Sequence, residues 1–379
     1  MSSEKPRVYF TSNVFTPDEI GSNDKISEKI RDKIQLLWDN LQEQAEIRIF
    51  KGRFPSSDQL KEELNRFNPH IIGCHLSHPI KAKWLEDSDL FAVATSTAGF
   101  NHIERPAKDN ILITHTPGVL HKTVADYTIA LIMANLRNLI DLHSYVWKGN
   151  WTPDDKWDLD QKLSSVIDNK TIGIVGLGEI GTELVKRLYP WGLNLLYYDI
   201  QRSPDLEKRF ANLEFRESLE DIFREADVVS LHIPLNKSTE KIINARLLKV
   251  MKKNALLINT ARGGVIDFED LLTLLERGEI QINISFDVYP EEPVDQEILN
   301  RLKRIKTQNP EMRLILMPHN ASADADTRGK MDILFLNDIL SLVQSSNLED
   351  LKKIHLIKSH HNQLSKKEWK ITDYWKTKN

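Results

Sequence analysis

The sequence predicts an α/β fold of two domains, one of them a doubly wound parallel sheet. Three observations carry that prediction. Short apolar runs alternate with helical stretches along most of the chain. The run Gly176-Leu177-Gly178-Glu179-Ile180-Gly181 follows directly on Thr171-Ile172-Gly173-Ile174-Val175, a segment of buried-strand type. Finally, 379 residues with 40% hydrophobic content can fill two cores of ordinary size.

Taken in order, the first strand candidates are Val8-Tyr9-Phe10, Ile47-Arg48-Ile49-Phe50, residues 71–74, residues 90–94 and Ile111-Leu112-Ile113, with helical stretches such as 26–41 between them. They read as one βαβ domain. Residues 122–147 form a long helical pattern in which Val124, Ala125, Thr128, Ile129, Leu131, Ile132, Ala134 and Leu136 are too apolar for a solvated linker, so one helix packed on several neighbours is expected. Strands then recur at 171–175, 194–199, 227–232, 254–259, 282–287 and Leu314-Ile315-Leu316-Met317, which make a second domain. A last helix is expected over 325–343, crossing back toward the first sheet. The tail from Asn347 holds eight lysines against four acids with Trp369, Tyr374 and Trp375 among them, the composition of a docked arm. His360-His361 lack further ligands at metal-binding spacing and are expected to be solvated, with no metal site.

The net charge of −4 is ordinary, and no basic stripe points to nucleic acid. No signal peptide and no run of about 18 apolar residues is found, and the single Cys74 precludes an intramolecular disulfide, so a cytoplasmic protein without membrane attachment is expected. Cys74 lies in an apolar run and reads as a buried strand thiol.

The glycine run has the spacing of a dinucleotide-binding turn. Gly176 permits the tight strand-to-helix turn, Gly178 lets backbone N–H groups reach a pyrophosphate, and Gly181 lets the helix pack closely; Glu179 and Ile180 open that helix. Asn194-Leu195-Leu196-Tyr197-Tyr198-Asp199 reads as the next strand, ending in a carboxylate about 20 residues past the glycines, where it would hold an adenosine ribose. A carboxylate there repels a 2′-phosphate, so NAD (NADH) is expected ahead of NADP, although Arg202 tempers the preference.

Three stretches each follow a predicted strand of the second domain: Asn259-Thr260-Ala261-Arg262-Gly263-Gly264, then Asp287-Val288-Tyr289-Pro290-Glu291-Glu292-Pro293, then Met317-Pro318-His319-Asn320-Ala321-Ser322. Ligands of open parallel sheets lie beyond the strand carboxyl ends, so these residues converge on a bound cofactor. Reduction of a 2-oxo acid needs a cation on the carboxylate and carbonyl, a proton donor and an in-line hydride. Arg262 suits the first task and His319 the second, with Glu292 orienting the imidazole and favouring its protonated form.

With these motifs and Ala226-Asp227-Val228-Val229-Ser230-Leu231-His232-Ile233-Pro234-Leu235, the chain resembles the D-isomer-specific 2-hydroxyacid dehydrogenases from Val8 to about Val343. The resemblance implies a Rossmann domain (118–325) inserted in a flavodoxin-like substrate domain (1–117 with 326–379), a cleft between them, and Arg262, Glu292 and His319 as the catalytic set. It implies cofactor contacts at His232, Pro234, Thr239, Thr260, Ala261, Asp287 and Ser322, with Asp287 on the nicotinamide carboxamide. It also implies a homodimer built on the 122–147 helix, which would account for that helix's apolar excess.

Departures from the family pattern bear on the substrate. The loop expected to cradle the substrate carboxylate reads Ser96-Thr97-Ala98-Gly99-Phe100-Asn101-His102-Ile103-Glu104; Thr97 stands where a glycine is usual and brings a Cβ and a hydroxyl near the substrate, beside Ala98 and Gly99. Ala321-Ser322 is atypical, and Arg301-Leu302-Lys303-Arg304-Ile305-Lys306 reads as a solvated helix extension. Gly149-Asn150-Trp151-Thr152-Pro153 with Trp157 resembles glyoxylate and hydroxypyruvate reductases, so a small 2-oxo acid, glyoxylate or hydroxypyruvate, is expected. A phosphoglycerate dehydrogenase-like enzyme and an NAD-sensing corepressor on the same fold are the alternatives. Formate dehydrogenases resemble the chain less, because they carry an amide where Glu292 stands.

Overall fold

The computed structural model describes residues 5–86, 88–155, 159 and 162–378. The chain divides into two compact units, Met1–Leu120 with Ala323–Asn379, and His121–Ser322.

In the first unit, strands β1 (Arg7–Phe10), β2 (Glu46–Ile49), β3 (Ile71–Cys74), β4 (Ala92–Thr95) and β5 (Leu112–Thr114) form a five-stranded parallel sheet in the order β2-β1-β3-β4-β5. That is the flavodoxin-like order, reversing direction at β1 and β3. Strand alternation sends Val8, Phe10 and Ile71 to one core and Tyr9 and Ile72 to the other. The first core is closed by the helix Glu28–Gln44, which buries Ile30, Ile34, Leu37, Trp38 and Leu41 at helical spacing, and by the helix Ala325–Gln344. Gly329 lets those two helices approach, since a Cβ there would lie 2.5 Å from Cγ2 of Ile30. The expected return of the chain to the first sheet thus comes through this last helix.

The tail is docked on the same unit. Leu351, Ile354, Leu356, Leu364, Trp369 and Ile371 join its core, and residues 355–357 lie antiparallel beside β5 through the bridge Thr114 to Leu356. His360 is not solvated as the sequence suggested. Its imidazole is fully buried, with Nδ1 accepting from the Ile113 N–H (3.2 Å) and Nε2 on Asp109 Oδ1 (3.1 Å), because the tail must satisfy the edge of the sheet it covers.

The second unit holds β6 (Thr171–Val175), β7 (Asn194–Tyr198), β8 (Leu213–Phe215), β9 (Val228–Leu231), β10 (Leu256–Asn259), β11 (Asn283–Phe286) and β12 (Leu314–Leu316), all parallel, in the order β12-β11-β10-β9-β6-β7-β8. Counted from β6 as the first strand, this is the doubly wound 3-2-1-4-5-6 arrangement with a seventh strand added. β6 is central and its carboxyl end lies at the switch point, where the glycine run begins. β8 was not foreseen: three residues with only Leu213 buried carry too little periodicity to read.

Two expectations change here. The 122–147 helix is two helices, His121–Leu136 and Leu139–Trp147, because Asn138 adopts a left-handed φ of 54° that asparagine tolerates. The first helix spends its apolar residues on its own unit, with Ala125, Leu131, Ile132 and Leu136 in the sheet core and the Asn135 amide donating to Ile284 O and Ser285 Oγ. The exposed apolar side chains, Leu139, Ile140, Val146 and Trp147, lie on the second. The basic run 301–306 sits within the helix Gln296–Gln308 and is more than a solvated extension: Leu302 and Ile305 are buried, and Arg301 pairs with Glu269 and Glu276.

No helix among the described residues is long and apolar enough to cross a membrane. Cys74 is buried, and burial pushes its thiol up to about 12.

Candidate active site

The glycine run assembles as its spacing suggests. Gly176 has φ +95°, and a Cβ there would lie 2.7 Å from the His232 carbonyl oxygen. Gly181 would place a Cβ 2.1 Å from the Gly176 carbonyl oxygen, so the first turn of the helix Glu179–Leu188 presses on the loop itself. Gly178, which caps that helix, faces open space, as an approaching phosphate requires. Glu179 and Ile180 form the first turn. Asp199, just past β7, accepts the Leu177 N–H on Oδ2 at 2.7 Å, which fixes the carboxylate beside the glycine loop. An open helix N-terminus with an acid at the end of the second strand fits a nicotinamide dinucleotide. Arg202 is committed to Glu207 through three contacts of 2.7 to 3.2 Å.

β10, β11 and β12 are neighbours, so the loops leaving their carboxyl ends are neighbours too. Asn259 ends β10, and its side chain folds the first loop by donating to Arg262 O (2.9 Å) and accepting from Ala261 N–H (3.0 Å). Arg262 Nη1 donates to Ala261 O at 2.7 Å. Gly263 then runs against the second loop, where a Cβ would lie 1.9 Å from the Tyr289 carbonyl carbon; only glycine permits this approach. The Arg262 and Glu292 loops are thereby held against each other.

Asp287 is fully buried and its carboxylate accepts the N–H groups of Asn320 (2.7 Å) and Ala321 (2.8 Å), while its carbonyl accepts the His319 N–H (2.8 Å). His319 is thus held in the left-handed region, φ 53°, a strained conformation of the kind that gathers at functional sites. Its Nδ1 donates to Glu292 Oε2 at 2.6 Å, and Glu292 Oε1 accepts the Tyr289 N–H at 3.1 Å. Tyr289 in turn donates its hydroxyl to Met317 O (3.0 Å), tying the second and third loops together.

Burial works to raise the Glu292 carboxyl, yet the His319 hydrogen bond and charge, the Tyr289 N–H and the Arg262 charge outweigh it and leave the group below its usual range. Glu292 is therefore ionised near neutrality. Burial lowers the Arg262 guanidinium against the opposing charge of Glu292; starting from above 12, it stays charged. Asp287 is raised by burial, against the two N–H groups that favour its charge. With Nδ1 committed to a carboxylate, the His319 ring has Nε2 for proton exchange.

The other anticipated positions lie on both units. His232 lies beside the glycine turn with Nε2 on Ser230 Oγ (2.8 Å), and burial pulls its imidazole down to about 4, so it is neutral near pH 7. Its Nδ1 is buried and has no hydrogen-bond partner among the described residues. Thr239 closes the turn that starts at Pro234, donating to the Pro234 carbonyl at 2.6 Å. Thr260 is buried against Thr128, Oγ1 to Oγ1 3.2 Å, while Ala261 and Ser322 lie partly buried at the ends of the first and third loops. Thr97, Ala98 and Gly99 follow β4 in the other unit. The Thr97 hydroxyl, expected near the substrate, turns inward instead, donating to Gly99 O (2.6 Å) and sharing a hydrogen bond with Thr95 Oγ1 (2.8 Å). Trp157 lies outside the described residues. Among the described residues no group of three His, Cys, Asp or Glu is placed to hold a metal ion.

Sequence reading did not assign the structural parts of Asn259, Gly263 and Tyr289. An Asn-x-x-Arg-Gly spacing after a strand was the available signal for the first two; nothing local marks the third.

Residues 129–321 match the family described as D-isomer specific 2-hydroxyacid dehydrogenase, NAD binding domain. The chain is 35% identical over 294 residues to a glyoxylate reductase of Thermofilum pendens, covering 76% of this chain and 82% of that protein, and 33% identical over 306 residues to one of Korarchaeum cryptofilum, covering 79% and 87%. Among solved structures, it superposes on a glyoxylate reductase from Paecilomyes thermophila with a TM-score of 0.73 at 22% identity, covering 94% and 99% of the two chains. A D-lactate dehydrogenase from Aquifex aeolicus, complexed with NAD and lactic acid, gives 0.72 at 23%, covering 92% and 98%; at such identities these two structures speak to the fold alone. With the sequence matches added to a doubly wound nucleotide unit and a flavodoxin-like partner unit, the chain belongs to the D-isomer specific 2-hydroxyacid dehydrogenase family, oxidoreductases that use a nicotinamide cofactor on the CH–OH group of 2-hydroxy acids.

Proposed function

We propose that this enzyme reduces a small 2-oxo acid, glyoxylate or hydroxypyruvate, with NADH, and that Arg262, Glu292 and His319 carry the reaction. The observation that carries the reading is the 2.6 Å hydrogen bond from His319 to Glu292 beside the Arg262 loop, on neighbouring strand ends of the nucleotide-binding unit. The Arg262 guanidinium holds the substrate carboxylate and polarises the carbonyl through its planar fork. His319 gives the proton to the alkoxide oxygen at Nε2, and Glu292 stabilises the imidazolium before transfer and fixes the ring. Dihydronicotinamide, when bound, supplies the hydride. In the reverse direction the same imidazole takes the proton from the hydroxy acid.

The cofactor is held by the Gly176, Gly178 and Gly181 turn, by the helix N-terminus at Glu179 and Ile180, and by Asp199 on the ribose, with His232, Pro234, Thr239, Thr260, Ala261 and Ser322 lining its path. Asp287 keeps further lone pairs for the carboxamide while it holds the His319 loop. NADH is preferred over NADPH because the Asp199 carboxylate repels a 2′-phosphate, and Arg202, three residues on, is paired with Glu207. The loop at Thr97, Ala98 and Gly99 cradles the substrate carboxylate through its backbone. The working form is a homodimer, supported by the exposed Leu139, Ile140, Val146 and Trp147 on one short helix.

Purified protein, mixed with NADH or NADPH and a panel of glyoxylate, hydroxypyruvate, pyruvate and 3-phosphohydroxypyruvate, tests this by loss of absorbance at the nicotinamide band. Glyoxylate and hydroxypyruvate with NADH are expected to give the highest kcat/KM. Preference for the phosphorylated acid would replace the substrate assignment, and no turnover with any acid would replace catalysis by a binding role.

A further inference from the structure

The loop after β4 is held by more than its strand. The Ser96 hydroxyl donates to Asp332 Oδ1 at 2.7 Å, on the helix Ala325–Gln344. The next three carbonyl oxygens are then engaged in turn: Thr97 O accepts the Thr116 N–H (2.9 Å), Ala98 O accepts from His115 Nδ1 (2.8 Å), and Gly99 O accepts the Thr97 hydroxyl (2.6 Å). In a trans peptide the N–H of one residue points opposite to the carbonyl of the residue before it. The N–H groups of Ala98, Gly99 and Phe100 are therefore turned away from these three acceptor bonds, and none of the three donates a hydrogen bond among the described residues. Successive unpaired N–H groups are the makings of an anion cradle.

His115 is itself anchored. Its N–H donates to His355 O (3.0 Å) and, two residues along, the Ile357 N–H donates to Ile113 O (3.0 Å), so the docked tail pairs with β5 and with the residue after it, which carries the imidazole. The His355 ring and N–H in turn bond to the buried Asp338 on the helix Ala325–Gln344.

We propose that the Thr97 hydroxyl and the His115 imidazole are positioning residues for substrate binding, holding the Gly99 and Ala98 carbonyls so that the N–H groups of Gly99 and Phe100 stay aimed at the substrate carboxylate, with the tail at His355 keeping His115 in place. This rests on the reading of 97–99 as the carboxylate loop. It gives Thr97 a part that glycine could not play, since glycine has no hydroxyl to close the third bond. Neither side chain touches the reacting atoms; both act through the backbone that holds the carboxylate.

The test pairs kinetics with hydrogen exchange on the full-length protein. Thr97→Val and His115→Ala each remove one anchoring bond, a loss that typically weakens an interaction by roughly three- to tenfold. Each is expected to raise KM for the preferred 2-oxo acid by about that factor, with kcat within about twofold and Kd for NADH unchanged. Thr97→Ser and His115→Asn, which keep a donor at the same place, are expected to restore KM. Valine matches threonine in shape, so Thr97→Val decides the matter even if His115→Ala fails to fold. In the wild type, oxamate with NADH is expected to slow exchange at the amides of residues 98–100. Absence of that protection withdraws the carboxylate-loop reading and the proposal with it. Protection accompanied by an unchanged KM in Thr97→Val, or by loss of kcat at constant KM, overturns the positioning role while leaving the loop assignment standing.

Discussion

Replacing Gly263 by alanine tests whether the contact between the Arg262 and Glu292 loops is what makes the site. The new Cβ would lie 1.9 Å from the Tyr289 carbonyl carbon and 2.0 Å from its oxygen, whereas real Cβ atoms stay beyond about 3.0 Å, so the two loops must part by at least about 1 Å. Both are backbone, and no side-chain rotation relieves the clash. Displacement of about 1 Å in a catalytic constellation costs on the order of 100-fold, equivalent to about 2.7 kcal/mol of transition-state stabilisation. The overpacking itself costs roughly 1–3 kcal/mol of fold stability. Gly264→Ala is the internal control: its Cβ would meet Leu235 Cδ2 at 3.0 Å, the end of a flexible side chain, and it is expected to lose less than about fivefold. Steady-state oxidation of NADH by the 2-oxo acid, with fluorescence titration of NADH and a thermal melt for each variant, separates the effects. Gly263→Ala with kcat/KM within threefold of wild type would refute the claim that this approach aligns Arg262 with the His319–Glu292 pair.

Three further outcomes follow from the same geometry. His319→Ala is expected to lower kcat by roughly 10²–10⁴-fold with NADH affinity nearly intact, since proton donation carries about that factor; equal loss of both in titration and turnover would move His319 out of the proton-transfer role. Asp199→Ser is expected to weaken NADH and improve NADPH relative to it, measured as the ratio of the two kcat/KM values; an unchanged ratio would place the cofactor determinant elsewhere. Glu183, buried on the helix Glu179–Leu188, is held down to about 2 by its hydrogen bond to Lys186, against burial, and by Arg187, which also reaches Asp126 at 2.5 Å. A depressed carboxyl stabilises the fold above its unfolded value and loses that contribution as pH falls through the folded one. Glu183→Gln is therefore expected to cost about 1–3 kcal/mol at pH 7, with the difference in melting temperature closing between pH 4.5 and about 2; a constant difference across that window would show that the ion pairs contribute nothing.

The α/β class, six of the seven strands of the nucleotide unit and the glycine turn were legible in the order of residues, because a buried parallel strand and a phosphate-type turn are local patterns of apolar runs and small residues. That order also singled out Arg262, Glu292 and His319, since each follows a strand and strand ends meet beyond a parallel sheet. Tertiary structure alone decided what lies between such segments. Asn138 splits a pattern that reads as one helix, His360 is buried by a tail whose target strand lies about 250 positions away, and the Thr97 hydroxyl turns inward to a carbonyl rather than out to a ligand. Periodicity reports which residues seek burial, but a left-handed turn, a docking edge or the direction of one hydroxyl depends on partners brought together only when the chain has folded.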